Sequence, residues 1–187
     1  MVELTPSGRS FLDPAKILER SGVGPGNAVG DFGVGGAAYF AVQAAKMVGE
    51  RGQIFGVDIL KPALSSAQSK ARLSGCRNFI PIWSDLEVIG GARGIRDGSL
   101  DFGILVNVLF HSRRQKNILS ECARMLKPGA RMLIVEWKAG GLRFGPKHDQ
   151  ILPKERVLDL CAQVGLAPFE EFEAGPYHYA LIVVKSG

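Results

Sequence analysis

The sequence predicts an α/β fold, a doubly wound and mostly parallel sheet finished by a C-terminal antiparallel hairpin. Three observations carry that prediction. Strand-like and helix-like segments alternate from Ala28 to Val164, the pattern of crossover units that lay parallel strands side by side. Leu100 to Val108 is almost wholly apolar, as expected of a central strand buried on both faces. Phe169 to Glu173 and Tyr179 to Val184 are strand-like and flank the turn residues Gly175-Pro176, which reads as a terminal hairpin.

Each element has its own signals. The first helix starts at Asp13-Pro14, because Asp caps free amides and proline suits the first helical position, and Ile17 and Leu18 give it an apolar side. Ser21 to Asn27 breaks it and leads into the first strand, Ala28 to Phe32. A glycine turn follows, then a helix through Val42, Ala44, Ala45 and Val48 to about Gly49. The second strand, Gln53 to Val57, ends in Asp58. Lys61 to Ser74 is helical, with Ala63, Leu64, Ala67, Ala71 and Leu73 for a buried side and Gly75 to close it.

The third strand, Phe79 to Trp83, ends in Ser84-Asp85. Leu86 to Gly98 is glycine-rich and poorly periodic, a loop with room for one short helix. Past the fourth strand, Arg113 to Leu126 is an amphipathic helix that turns Ile118, Leu119, Ala123 and Leu126 inward, and Lys127-Pro128-Gly129 stops it. Arg131 to Glu136 is the fifth strand. A loop, Trp137 to Leu152, and a helix, Pro153 to Val164, complete the chain before the hairpin.

The 187 residues suit one domain, with 1–26 a helical lead-in and 27–187 the core, and such a length buries most of its apolar surface without staples. Cys76, Cys122 and Cys161 are far apart in sequence, form no CxxC pair and stand near no histidine at ligand spacing, so they read as reduced, packed thiols and no metal is expected. No window approaches the roughly 20 apolar residues of a membrane span, and no signal-like segment is present. A soluble, cytoplasmic protein is the expectation. The net charge of +5 permits an anionic partner. Its basic residues, Arg113-Arg114, Lys127, Arg131, Lys138, Arg143 and Lys147, are scattered as on a solvated surface, so nucleic acid is not favoured.

The stretch Asn27 to Phe40, NAVGDFGVGGAAYF, is the chemical centre. Gly33, Gly35 and Gly36 follow the first strand, and glycine lets a ligand lie against bare main chain. Asp31, two residues before the first glycine, repels a pyrophosphate and favours a cationic ligand such as S-adenosylmethionine. In open α/β sheets ligands bind beyond the carboxyl ends of the strands. Those ends carry Asp31, Asp58, Ser84-Asp85, Asn107 to His111, and Glu136-Trp137. Asp58 follows the glycine turn at an offset suited to ribose hydroxyls, with helix capping as its other reading. Asp85 can accept from an adenine amino group while Ile59 and Leu86 close on the ring, or can simply cap the next segment.

These residues resemble class I S-adenosylmethionine-dependent methyltransferases over nearly the whole chain. The first motif of that family stands as Asp31-Phe32-Gly33-Val34-Gly35-Gly36-Ala37, the acid closing the second strand as Asp58, the acidic adenine contact as Asp85, and the fourth-strand motif as Asp101 to Asn107. LKPGARMLIVEWK resembles the corresponding junction of the small-molecule branch, that of the ubiquinone/menaquinone C-methyltransferases. The resemblance implies a seven-stranded sheet of order 3-2-1-4-5-7-6, S-adenosylmethionine as cofactor, S-adenosylhomocysteine as product and a small-molecule methyl acceptor. Ala37 departs from the pattern, standing where the family has a third glycine, with slightly tighter packing expected.

A sulfonium already activates its methyl group, so such a protein mainly positions a nucleophile and excludes water. His111, just past the fourth strand, is the candidate catalytic base, since its ordinary pKa near ~6.5 suits proton transfer; a packed surface histidine is the other reading. Glu136, Trp137, Tyr177, His178 and Tyr179 are candidate substrate contacts, the last three also reading as edge-strand residues. Lys138 to Gln150, with its glycines and Arg143, Lys147 and His148, suits a lid or an ordinary connection. Three rivals remain at this level. Gly33-x-Gly35-x-x-Ala38 formally fits a nicotinamide-dependent oxidoreductase, although no TyrxxxLys pair accompanies it. The fold can serve as a non-catalytic cofactor-binding scaffold. The acceptor can be RNA or protein, although Asn107-Val108-Leu109-Phe110 lacks the two prolines common in base-amino methyltransferases.

Overall fold

A computed structural model describes residues 12–139 and 145–187. The Arg143 part of the candidate lid lies outside the described residues. Seven strands form one sheet in the order β3-β2-β1-β4-β5-β7-β6: β1 Ala28–Phe32, β2 Gln53–Asp58, β3 Phe79–Trp83, β4 Leu100–Val106, β5 Leu126–Trp137, β6 Leu166–Glu173 and β7 His178–Lys185. The first five run parallel, and β7 lies antiparallel between β5 and β6. This is the order that the resemblance implied.

Helices cover both faces. On one side pack α1 (Pro14–Ser21), α2 (Tyr39–Val48) and α3 (Lys61–Leu73), whose Leu18, Ala41, Ala44 and Leu64 meet Val29, Ile54, Ile104 and Val135 of the sheet. The alanines of α2 let its backbone approach the strands closely. On the other side α4 (Gln115–Met125) and α5 (Lys154–Ala162) bring Leu119, Cys122, Val157 and Cys161 against Phe32, Leu105, Ile134 and Leu181. Burying one such side chain contributes about 1.5–3 kcal/mol, so the two-sided apolar strands β1, β4 and β5 anchor the fold. Asp13 caps α1 by accepting from Ala15 and Lys16 N–H at 3.1 and 3.3 Å.

The structure departs from the sequence expectations in four places. Leu73 is not on the buried side of α3 but 86% exposed, because the helix ends there and Ser74 and Gly75 turn the chain away. Leu86 to Gly98 holds no helix, only successive turns. Lys127-Pro128-Gly129 does not separate helix from strand: β5 begins at Leu126 and runs through it. Leu126 pairs with Leu100 and its carbonyl accepts from Lys185 Nζ at 2.7 Å, so tertiary partners override the turn chemistry. His178, which also read as an edge-strand residue, is completely buried, because β7 lies between β5 and β6.

Candidate functional site

β1 ends in Asp31-Phe32, and the chain turns at Gly33 with φ +78°. The N–H groups of Gly33 and Val34 both donate to the Val57 carbonyl, at 2.8 and 3.0 Å, which ties the turn to the end of β2. A Cβ on Gly33 would lie 2.5 Å from Val108 Cγ2. Gly35 has φ +59° and open space where its Cβ would be, so its main chain stands bare towards solvent. Gly36 bonds away from the cleft, its carbonyl accepting from Ser66 Oγ at 2.9 Å.

Two carboxylates flank this turn. Asp58 is buried. Its Oδ2 accepts from Gly35 N–H and its Oδ1 from Leu60 N–H, each at 2.9 Å. Each oxygen retains an acceptor position, which two vicinal hydroxyls would fill. Ser84 N–H donates to the Asp58 carbonyl at 3.1 Å, joining the end of β3 to the same corner. Asp31 is 4% exposed. Burial raises its pKa to about 7, opposed by a hydrogen bond from Ala41 N–H and assisted by the nearby negative charge of Asp58. That bond supplies the cap that Ala38 lacks, since Ala38 at the head of α2 makes no side-chain capping bond.

Asp31, Gly33, Ala37 and Asn107 line one cleft of about 420 Å³, together with Leu12 and Pro14 from the approach to α1, Ala38, Tyr39 and Phe40. Among the described residues the two non-glycine positions with positive φ, Ala38 at +49° and Asn107 at +56°, both line this cleft. Each such conformation costs on the order of 1 kcal/mol and persists where the surroundings impose it, which is characteristic of binding sites.

The remaining sequence candidates divide. Asp85 accepts from Glu87 N–H at 2.8 Å, a capping turn, and is half-buried. Leu86 packs into the core, whereas Ile59 is 55% exposed, so of the two residues expected to close on a ring only Ile59 presents its side chain at the surface. His111 is exposed on the short 3-10 turn Leu109–His111, its ring 3.8 Å from that of Phe110. Asp101, at the start of β4, holds Ala28 N–H at 2.8 Å and Lys127 Nζ at 2.5 Å, a structural role away from the cleft.

Beyond Asn107 lies a second buried polar corner. Glu136 Oε1 accepts from Val108 and Leu109 N–H at 3.0 and 2.7 Å and so caps the 3-10 turn, while burial raises its pKa to about 7. On the opposite face of β5, Trp137 pairs with His178 and their ring centroids are 4.1 Å apart. Asn107 Nδ2 lies 3.1 Å from His178 Nε2. Sequence reasoning missed Leu12 and Pro14 as cleft residues, and no local signal marks them, because the packing of α1 against α2 and β5 is a tertiary outcome. Among the described residues no group of three or more His, Cys, Asp or Glu is placed to hold a metal. No described helix is long and apolar enough to cross a membrane.

The family model described as a methyltransferase domain matches residues 30–134, the span from within β1 into β5. A curated relative, the highly reducing polyketide synthase resH of Aspergillus sclerotiorum, is 35% identical over 79 residues, 42% of this chain. The chain spans only about 3% of the length of that relative. In fold, the chain is similar to the crystal structure of a SAM-dependent methyltransferase from Aquifex aeolicus, at a TM-score of 0.86 and 24% identity, covering 96% of this chain and 93% of that one. It is also similar to an arsenic(III) S-adenosylmethionine methyltransferase from Chlamydomonas reinhardtii, at a TM-score of 0.69 and 23% identity, covering 99% of this chain and 71% of the other.

Proposed function

The chain belongs to the methyltransferase domain family, and from that premise we propose that it transfers a methyl group from S-adenosylmethionine to a small-molecule acceptor. The observation that carries the cofactor side is the pair of buried carboxylates around a bare glycine turn, Asp31 and Asp58. That set fits a ligand with a cationic end and a ribose, and does not fit a pyrophosphate. Asp58 would hold the ribose hydroxyls, the Gly33 to Gly35 turn would lie along the ligand, and Asp31 would face its positive charge. The bound cofactor supplies an already activated methyl group.

The protein's own work is then positioning and exclusion of water. The cleft walls from Leu12, Pro14 and Phe40 are apolar, and the positive-φ main chain at Ala38 and Asn107 stands beside them. The apolar wall that Leu12, Pro14 and Phe40 give the cleft near Asn107 suits a small acceptor, which is the support for that acceptor class. The arsenic methyltransferase of similar fold also acts, by its name, on a small species. His111 is the base we propose for acceptors whose nucleophile carries a proton. His111→Ala should then lower kcat and leave cofactor affinity intact. The three free cysteines, two of them buried, suit the reducing cytoplasm in which we place the protein.

Calorimetry with S-adenosylmethionine, S-adenosylhomocysteine and NAD, on the protein and on Asp58→Ala, tests the reading. Binding of the first two, lost in the variant, is the expected result. Binding of NAD alone overturns it, and binding of none favours a scaffold.

A further inference from the structure

We propose that Asn107, Trp137 and His178 form the polar end of the acceptor pocket, and that they select an acceptor presenting a neutral hydroxyl or carbonyl oxygen over one presenting a phosphate or an ammonium group. The proposal rests on the methyl-transfer reading above and names the substrate class of that site. It starts from register. The β5–β7 pairing sets Trp137 opposite His178 on one face of the sheet. The Asn107 N–H, donating to the Val135 carbonyl at 2.8 Å, brings the end of β4 alongside.

The hydrogen-bond accounting then fixes what this corner offers. Asn107 donates its amide to His178 Nε2, so Nε2 accepts and the ring proton sits on Nδ1. That leaves His178 Nδ1–H, Trp137 Nε1–H and Asn107 Oδ1. All three are buried atoms without a hydrogen-bond partner among the described residues. Trp137 is 8% exposed and His178 fully buried. A buried polar group left unpaired costs about 1–3 kcal/mol, and three in one corner are not tolerated without an occupant. Asn107 also lines the cleft with Asp31 and Gly33, so through Asn107 the corner adjoins the candidate cofactor site.

The chemistry of the occupant follows from charge. His178 is neutral, its pKa held down to about 4 by burial and secondarily by the charge of Lys138. Lys138 is itself paired with Glu173. Two neutral N–H donors and one amide oxygen match a hydroxyl or a carbonyl. Among the described residues no free cation faces the corner to hold a phosphate, and an ammonium would find a single acceptor while facing two donors. Ordered water is the competing occupant and shapes the test.

The chain has two tryptophans. Trp83 is an internal control, since its Nε1 donates to the Ile59 carbonyl at 2.9 Å on the exposed end of β3. The full 15N-labelled chain, saturated with S-adenosylhomocysteine, is titrated with p-cresol, acetylacetone, phenyl phosphate and benzylamine while the two indole N–H resonances are followed. We expect p-cresol or acetylacetone to move the Trp137 resonance saturably and leave that of Trp83 in place. Trp137→Phe, which keeps the ring and removes the donor, should weaken that binding about tenfold, read on the Asn107 side-chain amide, with S-adenosylhomocysteine affinity unchanged. With S-adenosylhomocysteine bound, failure of all four probes to move Trp137 assigns the corner to water and overturns the proposal. Equal or tighter binding of phenyl phosphate or benzylamine also overturns it. If S-adenosylhomocysteine itself does not bind, the methyl-transfer reading falls and the proposal with it.

Discussion

Replacing Asp31 by asparagine should stabilise the cofactor-free protein at neutral and higher pH while weakening its hold on a cationic cofactor. The magnitude follows from burial. Unfolded, Asp31 loses its proton near 3.8; folded, it keeps it to about 7. Between those values the folded state binds more protons than the unfolded state, so the contribution of this group to stability falls as pH rises. At about 1.4 kcal/mol for each pKa unit the full loss is about 4 kcal/mol, reached above pH ~7. Asparagine has no proton to lose and its oxygen still accepts from Ala41 N–H. The variant should therefore match the wild type near pH ~4 and exceed it by about 4 kcal/mol at pH ~8, or about 8–16 °C in Tm for a chain of this size. Thermal unfolding across that range is the assay. Glu136, also raised to about 7 by burial, contributes the same slope to both proteins and cancels in the difference. A Tm difference that does not change with pH would refute the argument. On the functional side, a cation that locks Asp31 in its ionised form should release about half a proton at pH ~7. Calorimetry of S-adenosylmethionine binding in two buffers of different ionisation enthalpy measures that release, which Asp31→Asn should abolish.

Three further outcomes test the site and its frame. Gly33→Ala combines a positive φ with a Cβ 2.5 Å from Val108, so it should cost about 1–3 kcal/mol in urea unfolding and remove cofactor binding by calorimetry. Glu121, fully buried, accepts from Gly90 and Ala92 N–H at 2.7 and 3.0 Å and from Arg124 at 2.8 Å. Glu121→Ala should cost about 3–5 kcal/mol, and the loop from Leu86 to Gly98 should become the first site of limited proteolysis. Leu73→Ser, at a position 86% exposed, should stay within about 0.5 kcal/mol of the wild type; a loss of 2 kcal/mol or more, as for a core leucine, would contradict its exposure.

Much of this protein is legible in the chain. The bounds of β1 and β3 follow from apolar runs between turn residues, and the glycine turn after Asp31 is written in consecutive residues. The acids at the ends of β1 and β2 are visible as carboxylates that close apolar strands, although capping the next helix is a second use for such a group. The family resemblance supplied the strand order, which periodicity does not encode, since a strand's pattern records how many faces are buried and not which neighbour covers them. What depends on distant partners had to come from the tertiary structure. The pairing of Leu126 with Leu100 and the Lys185 bond to its carbonyl draw the LKPG stretch into β5 against its turn chemistry. The raised pKa of Asp31 needs the packing of α2 and the proximity of Asp58. Leu12 and Pro14 become cleft walls only because α1 packs against α2 and β5. His178 looks like an edge residue in sequence, yet it is buried beside Asn107 because β7 inserts between β5 and β6. Local chemistry determined the elements and the residues able to react; burial, charge proximity and hydrogen-bond partners are sums over atoms far apart in sequence, and only the folded chain decided them.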